Sequence, residues 1–181
     1  MTGSGSRFAV GKLTSMNDDT FLIGRKAIRW AKQHLGSSDY STRCLAFVED
    51  AIERANGIEI FGGDYAAESA RLYDAGDYSS EPPPGALVFY DSVGELFGAR
   101  RDWGHVALGL GGGDVIHAWD KVRIDNYRSL ASLTPAAGWE PLHFLGWVPL
   151  ARVLEGSEAR EWSTDAVSAA ARQQTDRFSG S

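Results

Sequence analysis

The chain has 181 residues, 43% hydrophobic and 23% charged, with a formal net charge of −6. That length suits one domain with a substantial core. The acidic balance argues against nucleic acid or an anionic membrane as partner, since both call for clustered Lys and Arg. The opening MTGSGSRFAVGKLTSMNDD contains no continuous apolar stretch of the kind a secretory signal needs, and no run approaches the ~18 apolar residues of a membrane span. The expectation is a soluble monomer. Its location stays open between the cytoplasm, delivery by a non-classical route, and an extracellular protein trimmed of its leader.

Residues 1–17, rich in Gly, Ser and Thr and without periodicity, are expected to form a flexible arm ahead of a domain over 18–155. In DDTFLIGRKAIRWAKQHLG, Ile23, Ala27, Trp30 and Ala31 fall on one helical face between capping Asp19 and Thr20 and a terminating Gly36. A second helix is predicted over 42–56 from Leu45, Val48, Ala51, Ile52 and Ala55, with Asn56-Gly57 offering a left-handed end. Cys44, the one cysteine of the chain, lies in its first turn. A shorter helix in DYAAESARLYDAG precedes SSEPPPG, whose prolines forbid helix. Five apolar, β-prone stretches follow: ALVFYD, GHVALGL, DVIHAWD, KVRIDNY and HFLGWVPL. Helices first and strands afterwards predict an α+β fold, with N-terminal helices packed on an antiparallel sheet of about five strands. The tail over 156–181 reads as a surface helix or as disorder.

The hairpin GHVALGLGGGDVIHAWD allows its register to be argued. Val106, Leu108 and Leu110 share one face of the first arm, with His105 on the other; in the second arm Ile116 and Ala118 lie opposite His117. Apolar residues meet apolar ones across the ladder only if paired residue numbers sum to an even value, which requires an odd loop such as three residues centred on Gly112. His105 and His117 then emerge on the same side of the sheet. The glycines at 111–113 are turn residues and not a phosphate loop, because no Gly-Lys-Ser/Thr follows.

A thiol at a helix start and two imidazoles on one sheet face suit nucleophilic catalysis: Cys44 as nucleophile, His105 as base, His117 orienting His105. A free thiol of pKa ~8.5 is mostly protonated at neutral pH, so helix-start dipoles and an imidazolium partner are expected to favour the thiolate. Cys44 by itself would read as a small buried hydrophobe; the paired histidines shift that balance. His34 and His143 read as surface residues. Trp30, Trp103, Trp119, Trp139 and Trp147 read as packing or cleft walls. Asp114, Asp120 and Asp125 read as turn or solvent residues, with Asp120 as a substitute third member should His117 turn away.

Cys44 followed by Phe47-Val48, then Pro84-Gly85-Ala86-Leu87-Val88-Phe89, then Gly104-His105-Val106 with His117 twelve residues on, resembles the NlpC-type cell-wall peptidases, a branch of the papain-like cysteine enzymes related to the CHAP amidases. The resemblance covers roughly residues 20–155. It implies a papain-like fold, no cofactor and no metal. It also implies hydrolysis of an amide between D-γ-glutamyl and a diamino acid in peptidoglycan stem peptides, through a thioester acyl-enzyme. The family's upstream tyrosine, which helps to hold the oxyanion, corresponds to Tyr40. Where the family's commonest form has Asp-Cys-Ser-Gly, with the Asp and Ser holding a free amine, this chain has Arg43-Cys44-Leu45-Ala46. Arg43 is expected to support the thiolate or to bind a substrate carboxylate. Other readings remain: a zinc hydrolase using Cys44, His105 and His117 as ligands, a catalytically silent binding domain, and an acyltransferase on the same fold.

Overall fold

The computed structural model describes residues 7–76 and 80–163. Helix α1 (Arg7–Gln33) begins earlier than the start near Asp18 that the capping residues predict. Its Ala27 and Ala31 are fully buried, and such small residues let α2 (Cys44–Asn56) approach closely. Helix α2 buries Leu45, Ala46, Phe47, Val48, Ala51 and Ile52, and ends at Gly57, whose left-handed φ of 64° lets its N–H reach the Glu53 carbonyl. No helix among the described residues is long and apolar enough to cross a membrane.

Strand β1 (Ile58–Glu59) and helix α3 (Ala66–Leu72) lead into β2 (Leu87–Asp91). A hairpin of β3 (Val93–Leu96) and β4 (Ala99–Asp102) comes next, then β5 (His105–Gly111), β6 (Asp114–Ala118) and β7 (Val122–Asn126). After a 3₁₀ turn (Ser129–Ser132) come β8 (His143–Val148), α4 (Leu150–Val153) and β9 (Glu158–Ala159). The main sheet has five strands in the order β7-β6-β5-β2-β8, every neighbouring pair antiparallel. This is the α+β architecture expected, with helices N-terminal to the sheet. The β3–β4 hairpin and the β1–β9 pair were not anticipated. The latter makes residues 158–159 extended, where the tail was expected to be helical or disordered. Residues 1–6 of the expected arm and 164–181 of the expected tail lie outside the described residues.

Both sheet faces are covered. Leu87, Phe89, Val106, Leu108, Ile116, Ala118 and Val122 face the helices and pack with Leu45, Phe47, Val48 and Ile52 of α2. Ala86, Val88, Tyr90, Ala107 and Val115 face the other way, against Tyr127, Leu130, Leu142 and Trp147. Burial on both sides explains why β2 reads as an unbroken apolar run. Each fully buried aliphatic or aromatic side chain contributes ~1.5–3 kcal/mol from removal of apolar surface from water.

Candidate active site

The chain enters α2 through a constrained turn. Thr42, a β-branched residue, has a left-handed φ of 64°, a conformation costing ~1–3 kcal/mol that persists only where the surroundings enforce it. Arg43, at the N-cap, makes no side-chain capping bond. The backbone N–H groups of Val106, the residue directly after His105, and of Leu45 and Cys44 lie near enough to the Cys44 thiol to favour its anion. The helix start and strand β5 therefore meet at the sulfur. Burial pushes the thiol up to about 11, against the pull of those three N–H groups, while the Glu49 carboxylate adds to the rise. At neutral pH Cys44 is a thiol. That direction is opposite to the one predicted from the helix dipole and an imidazolium partner.

Gly104 delivers His105 to this place. Its φ is +71°, and a Cβ there would lie 2.3 Å from the Ala67 nitrogen, so only glycine fits against α3. The Ala67 N–H donates to the Trp103 carbonyl at 3.0 Å and ties the entry of β5 to that helix. His105 is buried, its ring set edge-on to Trp119 with centroids 5.3 Å apart. Burial holds this imidazole well below its ordinary pKa, with His117 adding in the same direction.

The predicted register holds through the body of the hairpin: Leu108 pairs with Ile116 and Gly109 with Val115. Near the tip it shifts, so that Gly111 pairs with Asp114. The expected three-residue loop is therefore a two-residue turn, Gly112 and Gly113 at φ 63° and 83°, next to a bulge. The two histidines do share a face, and His105 Nε2 lies 2.8 Å from His117 Nδ1. The chain of bonds continues: His117 Nε2 lies 3.0 Å from Asp125 Oδ2, and Arg123 grips both oxygens of Asp125. Burial lowers the His117 pKa, although the Asp125 carboxylate opposes it. Burial also works against ionisation of Asp125, but the bonds from Arg123 and His117 outweigh it and hold the carboxyl below its usual value.

Asp125, read from sequence as a turn or solvent residue, is thus joined to His117, and Arg123 was not singled out at all. The signal was present in the same alternation, extended by one strand. Val122 and Ile124 pair with Ala118 and Ile116, which puts Arg123 and Asp125 on the histidine face.

Cys44, His105 and Arg43 line one cleft of about 660 Å³, walled by Trp103, Trp119, Trp139 and Phe97. Tyr40 is a correction. It is 3% exposed and its hydroxyl donates to Asp50 Oδ2 at 2.6 Å, so its one polar atom is spent inside the helical layer and it is not among the residues lining the cleft. His143 is exposed, as expected; His34 is half-buried, stacked on Trp30, with Nδ1 bonded to the Trp30 carbonyl at 2.9 Å. Among the described residues no group of three or more His, Cys, Asp or Glu is placed to share a metal ion. The two imidazole nitrogens that a Cys44/His105/His117 site would need are directed at each other, so these residues do not fit the zinc reading.

A helix bearing a cysteine at its head, laid against an antiparallel sheet bearing a histidine at the start of a strand, is the papain-like arrangement. Within that class, residues 30–134 match the model of the NlpC/P60 family, and the chain belongs to that family. Two solved structures share parts of the architecture. One is the peptidoglycan hydrolase RipB from Mycobacterium tuberculosis, with 18% identity, 74% of this chain and 67% of that one covered, and a TM-score of 0.44. The other is the Resuscitation Promoting Factor Interacting protein RipA mutated at a cysteine, with 19% identity, 71% and 64% covered, and a TM-score of 0.43. No curated protein matches the chain.

Proposed function

We propose that the protein is a cysteine peptidase or amidase acting on the peptide part of peptidoglycan, with Cys44 as nucleophile, His105 as general acid and base, and His117 holding His105. Family membership supports the hydrolase class and the cell-wall substrate. The observation that carries the residue assignment is the 2.8 Å bond between His105 Nε2 and His117 Nδ1, beside a cleft that both Cys44 and His105 line.

A neutral thiol and a neutral imidazole define how the step runs. The Cys44 sulfur attacks the amide carbonyl carbon as its proton passes to His105, on Nδ1, the nitrogen not bonded to His117. Backbone N–H groups at the start of α2 stabilise the resulting oxyanion. Collapse breaks the C–N bond, and the proton on His105 leaves with the amine. His105 then takes a proton from water, which attacks the thioester; the carboxylic acid departs and the thiol is restored. Arg43, in the cleft beside Cys44, binds a carboxylate of the substrate, in keeping with the replacement of the family's usual acidic neighbour. Digestion of purified peptidoglycan by the wild type, with mass spectrometry of the new termini, is expected to reveal cleaved stem peptides; Cys44→Ala is expected to give none. Equal cleavage by both proteins would sink the assignment of the nucleophile. No cleavage by either would favour a silent binding domain.

A further inference from the structure

We infer that Asp125 is a positioning residue which, acting through His117, fixes the tautomer of His105, so that Nδ1 carries a lone pair and Nε2 carries the proton. The inference rests on the proposed role of His105 as base, but its evidence is independent of any substrate. A carboxylate has lone pairs and no proton to give. Arg123 donates to both oxygens of Asp125, from Nη2 to Oδ1 at 2.9 Å and from Nε to Oδ2, which keeps that carboxyl ionised. The proton in the 3.0 Å contact between Asp125 Oδ2 and His117 Nε2 therefore belongs to His117.

The charge of His117 decides the next link. As an imidazolium it would donate from Nδ1 as well, forcing His105 Nε2 to accept and placing the His105 proton on Nδ1, where it blocks base catalysis. Charge balance rules against this. The single negative charge of Asp125 is already matched by Arg123, so a further cation at the fully buried His117 would lack a partner. The remaining acid nearby, Asp120, stands 3.9 Å from Arg123 Nη1 with its side chain 65% exposed, and is screened by water. His117 is thus neutral, donates from Nε2 and accepts at Nδ1. His105, 2.8 Å away, must donate from Nε2. Its Nδ1 is left as an acceptor. Arg123 has a part of its own here: by occupying the charge of Asp125, it keeps His117 neutral.

The test is the ring nitrogen spectrum of the ¹⁵N-histidine-labelled full chain at pH 7. In the wild type, His105 Nδ1 should give the shift of an unprotonated nitrogen and Nε2 that of a protonated one. In Asp125→Leu, which removes the acceptor while keeping the branching at Cγ, the two signals should move toward each other as both tautomers populate. Peptidoglycan turnover should fall several-fold, in proportion to the share of His105 lost to the unproductive tautomer. Asp125→Asn should keep the wild-type tautomer and lose less turnover than Asp125→Leu, because its oxygen at the Oδ2 position accepts from both Arg123 Nε and His117 Nε2 and leaves its amide nitrogen against Arg123 Nη2, the longer of the two arginine contacts at 2.9 Å. A proton on Nδ1 of wild-type His105 would overturn the inference. So would a folded Asp125→Leu protein with unchanged His105 signals. Should Asp125→Leu fail to fold, the wild-type and Asp125→Asn spectra still decide, with an Asn variant in the opposite tautomer counting against. Since the spectra need no substrate, a wild type inactive on peptidoglycan would fault the proposed function and leave the tautomer result standing.

Discussion

Two hydrogen-bond chains cross this molecule, built from nearly the same parts. In the helical layer the Tyr40 hydroxyl donates to Asp50 Oδ2 at 2.6 Å, while Arg54 Nε donates to Asp50 Oδ1 at 3.1 Å. In the sheet, His105 meets His117, which meets Asp125, which is gripped by Arg123. Each chain joins an aromatic ring with a polar head to an Asp–Arg pair. They differ in the number of polar atoms on the terminal ring. A phenol has one, and Tyr40 spends it inward on Asp50. An imidazole has two, so His105 can be anchored by one nitrogen and still present the other to a reactant. The tyrosine chain is a brace, and the histidine chain, in our reading, is machinery anchored by a brace of the same kind.

The largest test of this contrast is His105→Ala. It should lower peptidoglycan turnover about 10³-fold, within the range that general acid–base groups supply, and, because the ring is buried and bonded to His117, lower the urea midpoint as well. A variant that keeps a tenth or more of wild-type turnover would break the contrast. The next effect concerns the resting thiol. With Cys44 at about 11 against an ordinary 9.0, the protonated form persists to higher pH, and the thiolate fraction at pH 7 is about a hundredfold below that of an ordinary cysteine. Iodoacetamide should therefore alkylate Cys44 slowly at pH 6, with a rate that climbs past pH 9; a fast, flat rate from pH 6 upward would mean a preformed thiolate–imidazolium pair.

Tyr40→Phe sharpens the comparison from the other side. Loss of a buried bond to a carboxylate should cost about 1.5–3 kcal/mol of stability by urea titration, with turnover within twofold of wild type. A large loss of turnover at unchanged stability would return Tyr40 to the oxyanion. The smallest effect belongs to Arg43→Lys. Lysine keeps the charge and loses the two-pronged geometry, so KM for a carboxylate-bearing fragment should rise several-fold with kcat little altered. Unchanged KM would remove Arg43 from substrate binding.

Where apolar alternation ruled, the fold was legible. The pairing of Leu108 with Ile116 follows from hydrophobic parity together with a loop centred on Gly112, and it brings His105 and His117 together. Asp125 reads as a turn or solvent residue because β7 is half exposed and its DNY ending has the composition of a turn; only the ladder with β6 brings it to His117. The β3–β4 hairpin escaped notice for a related reason. Its strands carry Glu95, Arg100 and Arg101, and its tip places Phe97 at a left-handed φ of 52°, a conformation that no Asn-Gly pair announces. Tyr40 was misplaced because its role was carried over by resemblance. The turn between it and Cys44, with the Arg43 N–H bonded to the Tyr40 carbonyl at 2.9 Å, leaves its ring among the helices.

Gly104 and Gly98 lie six residues apart on the same excursion of the chain and face opposite prospects. At Gly104 a single methyl group would strike the backbone of α3, whereas a Cβ at Gly98 would meet nothing within 4 Å and would be opposed only by the left-handed φ of +75° there. Anyone wishing to redirect what the cleft accepts should therefore vary Phe97, half exposed over the opening, keep Gly98 for its backbone, and leave the approach to His105 alone. In our reading, variety in ligand choice and constancy in chemistry have separate addresses along this stretch.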